Sequence, residues 1–193
     1  MNRVLYLTRH GETDWNKEGR WQGHTDIALN ETGRTQALGL ARRLERLSIK
    51  HVAASDLARA KETAEIVALH LGVSVVNVDH RLRERSFGVF EGLTRDEVAA
   101  RYPTQWFDYQ EDKRVTPPGA EPHEMVIGRV QQALLTVLRA APAATSALIV
   151  THGGSLRVLL SELSGQPIPP VPNTAVYRVD FTDETFESMQ LLG

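Results

Sequence analysis

Hydrophobic and polar positions along the chain follow two alternating patterns. Val4 to Leu7, Val52 to Ala54, Val73 to Val78 and Ala147 to Val150 are short apolar runs of the kind that form buried strands, and the stretches between them change to helical spacing. After Asn30, a side chain suited to capping, the residues Ala37, Leu40, Ala41, Leu44 and Leu47 recur at intervals of three and four. That spacing predicts a helix with one apolar stripe. A second helix is predicted after Ser55-Asp56, with Leu57, Ala60, Ala64, Val67 and Leu71 on one face and Gly72 as its stop. A third is predicted over Glu121 to Arg139, before Pro142. A fourth starts near Gly153 and runs through Leu156, Leu159, Leu160 and Leu163 to Gly165. Buried strands that alternate with amphipathic helices imply an α/β three-layer sandwich, a mostly parallel central sheet with helices on both faces. The segments Ala175 to Phe181 and Thr185 to Leu191 alternate more strictly across a Thr-Asp-Glu turn and predict an edge hairpin.

Between Gly88 and Pro122 this pattern weakens. Tyr102-Pro103 and Pro117-Pro118-Gly119 interrupt it, and Trp106, Phe107 and Tyr109 cluster between the interruptions, so about 88–122 is expected to be a substrate-facing insertion. With 193 residues and no linker, repeat or low-complexity tract, residues 1–193 are read as one domain. Lys plus Arg number 22 against 24 Asp plus Glu, a formal charge of −2, so the basic excess of a nucleic-acid binder is missing. The chain has no cysteine, which removes disulfides, thiolate metal sites and a cysteine nucleophile. The N-terminal apolar run is too short for a signal peptide, and no run approaches membrane-spanning length. A cytoplasmic protein with no nucleic-acid or membrane partner, either monomer or homodimer, is the resulting expectation.

In an open α/β sheet, ligands bind beyond the carboxyl ends of the strands. Those ends carry Thr8-Arg9-His10-Gly11-Glu12-Thr13, Ser55-Asp56-Leu57-Ala58-Arg59, Asp79-His80-Arg81-Leu82-Arg83-Glu84 and Thr151-His152-Gly153-Gly154. Imidazoles, guanidinium groups and helix N-termini gathered in this way suit a phosphoryl group, because arginine forks match phosphate oxygens and free backbone N–H groups point at anions. Histidine can act as a covalent nucleophile and a nearby carboxyl group as proton donor.

The segment Leu7-Thr8-Arg9-His10-Gly11-Glu12-Thr13-Asp14-Trp15-Asn16 resembles the Arg-His-Gly-Glu motif of the histidine phosphatase superfamily, in the branch of phosphoglycerate mutases and related phosphatases. The likeness continues, in the family's order, through Trp21-Gln22-Gly23, Ala28 to Gly33, Ser55 to Ala60, Leu82-Arg83-Glu84 and Val150 to Gly154. The resemblance implies a phosphoglycerate mutase-like fold, His10 as the residue that becomes phosphohistidine and Glu84 as the acid. It implies that Arg9, Arg59 and His152 surround the phosphoryl oxygens and that Asn16, Gln22, Gly23 and Gly153 support them. It also implies chemistry with no metal and no cofactor. Competing readings put Arg59 on a solvated helix face and give the acid's role to Glu91, although the position of Glu84 directly after Leu82-Arg83 favours Glu84. His24, His51, His70, His80 and His123 lack metal-ligand spacing and read as surface or structural.

Rival phosphate chemistries find no G-x-x-x-x-G-K-[ST] loop, no G-x-G-x-x-G and no Asp-x-Asp pair, and no G-x-S-x-G elbow supplies an esterase serine. Cofactor-dependent mutases resemble one another in Glu-Arg-His-Tyr-Gly, where this chain has Glu84-Arg85-Ser86-Phe87-Gly88. Lys113-Arg114 could replace only part of the basic insertion with which mutases grip a phosphoglycerate carboxylate. Pro118-Gly119-Ala120-Glu121-Pro122 departs at two places from the Pro-Gly-Gly-Glu-Ser of phosphatase-like members, and Pro172-Asn173-Thr174 resembles a late motif of the smaller phosphatases. The expectation is a metal-independent phosphatase acting on a small phosphorylated metabolite, like a small broad-specificity or α-ribazole phosphatase. The alternatives are a mutase using the same phosphohistidine and a non-catalytic regulator that binds a phosphometabolite.

Overall fold

A computed structural model describes residues 2–73, 76–141 and 145–192. In chain order its helices are α1 (Asp14–Glu18), α2 (Glu31–Leu44), α3 (Ala58–His70), α4 (Arg95–Arg101), α5 (Pro103–Glu111), α6 (His123–Ala140) and α7 (Gly153–Ser164). The strands are β1 (Asn2–Arg9), β2 (Ile49–Ala54), β3 (Val76–Val78), β4 (Ser146–Thr151), β5 (Val176–Thr182) and β6 (Thr185–Leu192). They form one sheet in the order β3-β2-β4-β1-β5-β6. Pairs β1–β4, β2–β4 and β2–β3 are parallel, whereas β5 and β6 join as an antiparallel hairpin on the β1 side.

Register explains the two cores. Leu5 lies opposite Ala147 and Leu7 opposite Ile149, and all four turn to the face covered by α6 and α7. The intervening Tyr6, Leu148 and Val150 join Val52 and Ala54 under α2 and α3 on the other face. A strand covered on both faces has no polar side to present, which is why β1 and β4 read as continuous apolar runs. Among the described residues, no helix is long and apolar enough to cross a membrane.

Several local expectations need correction. Helix α2 stops at Leu44, so Leu47 packs against the core from a turn rather than from the helical stripe. The strand expected over Val73 to Val78 is formed at Val76–Val78, with Ser74 and Val75 outside the described residues. Helix α6 begins at His123 because Pro122 occupies its N-cap, and Pro142 also lies outside the described residues.

The irregular segment is in fact helical. Thr94 and Glu97 form a reciprocal capping box that starts α4, and Pro103 opens α5 at its first turn, where a missing N–H costs nothing. These two helices close over a small third core of Phe87, Phe90, Val98 and Tyr109, with Trp21, Tyr102 and Trp106 packed against it. The apolar spacing is weak there because that core takes only one or two side chains from each short helix.

Candidate active site

The loops leaving β1 and β2 extend the sheet ladder onto β4 by one bond each before they diverge: His10 N–H donates to Thr151 O at 3.0 Å and Ser55 N–H to Val150 O at 3.0 Å. This sets His10, Arg59 on the first turn of α3, and His152 at the N-cap of α7 side by side. The His10 and His152 rings meet edge to face with centroids 5.1 Å apart. A cavity of about 780 Å³ opens beside them, lined by Arg9, His10, Arg59, Glu84 and Gly153 among others.

His10 is buried, and its Nδ1 lies 2.6 Å from the Gly11 carbonyl. A carbonyl only accepts, so Nδ1 carries the proton and the Nε2 lone pair is left for chemistry. Burial, followed by the charges of Arg9 and Arg59, holds the His10 pKa well below its ordinary 6.5, so the ring is neutral at pH 7. His152 is also pushed well below 6.5, by burial first and then by Arg59, His10 and Arg9. Its Nδ1 accepts from Arg59 Nε at 3.2 Å, which places its own proton on Nε2. That Nε2 is a buried donor with no hydrogen-bond partner among the described residues, and Arg9 Nε is another.

Arg59 is 1% exposed, so it does not belong to a solvated face. It donates to Gly23 O and Thr25 O, both at 2.9 Å, and makes no ion pair among the described residues. Burial pushes its pKa down to about 10 against the pull of Glu84 and Asp26, which still leaves it charged at pH 7. Arg9 is lowered by burial too, opposed by Glu84, and it donates to Val171 O at 2.9 Å.

Glu84 points into the N-terminus of α7. Its Oε1 accepts from Arg85 N (2.9 Å) and Ser155 N (2.8 Å), while Oε2 accepts from Gly154 N alone (2.8 Å). Residue 154 must be small, since a Cβ there would fall 2.5 Å from Glu84 Oε1.

Glu91 has a different task. It accepts from Thr25 Oγ1 (2.7 Å), Phe87 N (2.9 Å), Ser86 Oγ, His24 N and Thr25 N, tying the loop after Trp21 to the segment after Glu84. Burial would raise its pKa, but these donors outweigh burial and lower it. A Cβ on Gly23, at φ +52°, would lie 2.0 Å from Glu91 Oε1, so this junction requires glycine.

The remaining expected residues act mostly as supports. Asn16 closes the capping box of α1 with Thr13, whose hydroxyl donates to Gln22 Oε1 at 3.0 Å. Gly23 contributes its carbonyl to Arg59, and Gly153 packs against Arg9, where a Cβ would meet Nε at 3.2 Å. Asn173 ties these together, donating to His10 O at 2.9 Å and to Asn16 Oδ1 at 3.4 Å. His24 donates to Glu84 O at 2.8 Å and His123 lines the cavity, so neither is a bystander.

Sequence reasoning passed over Arg157, which lines the cavity from α7. Its spacing of four from Gly153 puts both on one helix face, and this signal was available. Trp106 and Tyr109 both pack the third core and line the cavity. Among the described residues, no group of three His, Cys, Asp or Glu is placed to hold a metal ion.

The model of the histidine phosphatase superfamily (branch 1) matches residues 5–191. A protein of Erwinia tasmaniensis named probable phosphoglycerate mutase GpmB is 42% identical over 185 residues, 91% of this chain and 84% of that protein. Among solved structures, mycobacterial glucosyl-3-phosphoglycerate phosphatase in complex with VO3 superposes with a TM-score of 0.87 at 30% identity, covering 98% of this chain and 97% of that one. YhfR of Bacillus stearothermophilus gives a TM-score of 0.84 at 34% identity, covering 96% and 94%.

Proposed function

Given that this chain belongs to the histidine phosphatase superfamily, branch 1, we propose that it hydrolyses small phosphate monoesters through a phosphohistidine on His10. The observation that carries the reading is the state of His10: a buried, neutral imidazole whose Nδ1 proton is committed to Gly11 O, with the unpartnered donors of Arg9 and His152 beside it. An anionic phosphoryl group fits that set, because it brings acceptors to two buried donors and negative charge to Arg59.

In the first step the Nε2 lone pair forms a bond to phosphorus as the bond from phosphorus to the leaving oxygen breaks. Glu84 gives that oxygen its proton. Donors already fill Oε1, so Oε2, with one backbone N–H on it, is the oxygen that carries the proton. In the second step water attacks phosphorus, its proton returns to Glu84, and the electron pair of the N–P bond returns to Nε2. Arg9, Arg59 and His152 hold the phosphoryl oxygens throughout, positioned before the reaction begins. The substrate is a small phosphorylated metabolite, met in the cytoplasm.

The GpmB name borne by relatives favours a second reading, transfer to a phosphoglycerate instead of to water. Against it, Phe87 lines the cavity with an apolar ring where mutases resemble one another in a tyrosine. The test is phosphate release from a panel of monoesters with EDTA present. Release is expected from wild type and is expected to vanish in His10→Ala while the fold persists. An isomerised phosphoglycerate with no free phosphate would establish the mutase reading instead, and release retained by His10→Ala would remove His10 from the chemistry.

A further inference from the structure

Glu84 sits on a stretch of backbone that belongs to no ladder. Residues 83–86 follow a single 3₁₀ turn (His80–Leu82) and lie in neither helix nor strand. Their carbonyls need partners from elsewhere, because a buried backbone acceptor left unmade is costly. One side chain serves two of these four and reaches back to Arg81 O as well, sharing Arg83 O with Ser155 Oγ (2.7 Å) and Glu84 O with His24 Nε2 (2.8 Å). Arg129 on α6 donates through Nη1 to Arg81 O (2.7 Å) and Arg83 O (2.6 Å), and through Nη2 to Glu84 O (2.9 Å). Its remaining two N–H groups grip Glu121, Nε to Oε1 and Nη2 to Oε2, both at 2.7 Å. All five guanidinium donors are therefore used. Glu121 is itself fixed to the same stretch, since its N–H donates to Ser86 O at 3.0 Å and its carbonyl accepts from Arg85 Nε at 2.8 Å.

We propose that Arg129, oriented by Glu121, is the positioning residue for the proton donor: it holds the backbone of residues 81–84 so that the Glu84 carboxyl meets the α7 N-terminus and faces the leaving oxygen. The proposal rests on Glu84 being the acid. Arg129 does not line the cavity. Its charge also disfavours protonated His152, an effect that both esters would share, whereas what it does through Glu84 falls on the leaving group. The planar fork matters as much as the charge. A lysine has three donors on a point charge and cannot serve three carbonyls and a bidentate carboxylate together.

A misplaced acid damages the departure of a poor leaving group far more than that of a good one, which gives a readout that general loosening of the fold does not produce. The experiment compares kcat/KM for glycerol 3-phosphate, whose alkoxide needs a proton, with that for p-nitrophenyl phosphate, whose phenolate leaves without one. Wild type, Glu84→Gln, Arg129→Lys, Arg129→Met and the double variant Arg129→Met/Glu121→Gln are assayed, the last because it leaves no unpaired buried carboxylate. Arg129→Met and the double variant are expected to lose about 100-fold on glycerol 3-phosphate, the scale of general-acid catalysis. Their loss on p-nitrophenyl phosphate is expected to be at least ten times smaller, with Arg129→Lys intermediate. Equal losses on both esters, or none on either, would overturn the positioning role. If Glu84→Gln itself shows no such selectivity, the assignment of the acid is what fails. Selectivity in Glu84→Gln without selectivity in the Arg129 variants overturns this inference alone.

Discussion

The buried histidines carry the most exact expectation at the scale of single residues. His10 stays neutral because burial and two guanidinium groups penalise its charged form, so a proton NMR titration of its ring is expected to have a midpoint below 6.5. Inorganic phosphate reverses the local sign of charge and is expected to raise that midpoint. A midpoint at or above 6.5 in the free protein contradicts the electrostatics described for the site. Arg59→Lys is the second test. Lysine keeps the charge but loses the fork that joins His152, Gly23 and Thr25, and kcat/KM is expected to fall by about 100-fold or more, the scale of losing one oriented donor. The motif carried His10, Arg59 and His152 legibly, because each closes a strand or opens a helix. Glu91 and Arg129 were not legible in that way. Their partners lie at 24, 25, 86 and 87 for the first and at 81, 83, 84 and 121 for the second, and nothing in the local sequence announces such pairings.

The helices α4 and α5 form a unit of their own, sealed by a core that contains the fully buried Phe90. Phe90→Ala removes the centre of that core and is expected to cost about 3–5 kcal/mol locally. Hydrogen exchange is expected to quicken across residues 95–111 while the amides of β1 and β4 keep their protection. Equal loss of protection in the central sheet would mean that the small core is not a separate cooperative unit. The sequence marked this segment only by its breaks. Its capping box and N1 proline were readable local signals, but the apolar periodicity that usually identifies a helix was diluted across two short helices.

For the whole molecule, His10 and His152 make stability depend on pH. In the unfolded chain both protonate near 6.5, whereas in the folded protein both resist protonation. Below about pH 6.5 the unfolded state therefore binds more protons than the folded one, and the free energy of unfolding falls as pH falls. Thermal melts are expected to show Tm decreasing from pH 7 to pH 5, less steeply in His152→Gln. Inorganic phosphate is expected to raise Tm at pH 7 by mass action, and Arg59→Lys to shrink that rise. A charge of −2 for the chain conceals this site: the cations Arg9 and Arg59 lie together at the ends of the strands, and carboxylates elsewhere offset them.

By itself the sequence determined where strands and helices alternate, which face of each is apolar, and that His10, Arg59 and His152 stand at the ends of strands or the starts of helices. Periodicity and capping are written within a few residues of where they act, so they can be read one segment at a time. Tertiary structure alone decided that the hairpin legible in the sequence docks on β1, that residues 95–111 fold over a third core, and that Glu91 ties loops while Glu84 faces the cavity. It also decided that one arginine on α6 takes up the carbonyls on which Glu84 depends. The polar pairings share one physical reason. A buried polar group must find its partner wherever the chain brings one within about 3 Å, and that distance is set by packing rather than by position in the sequence.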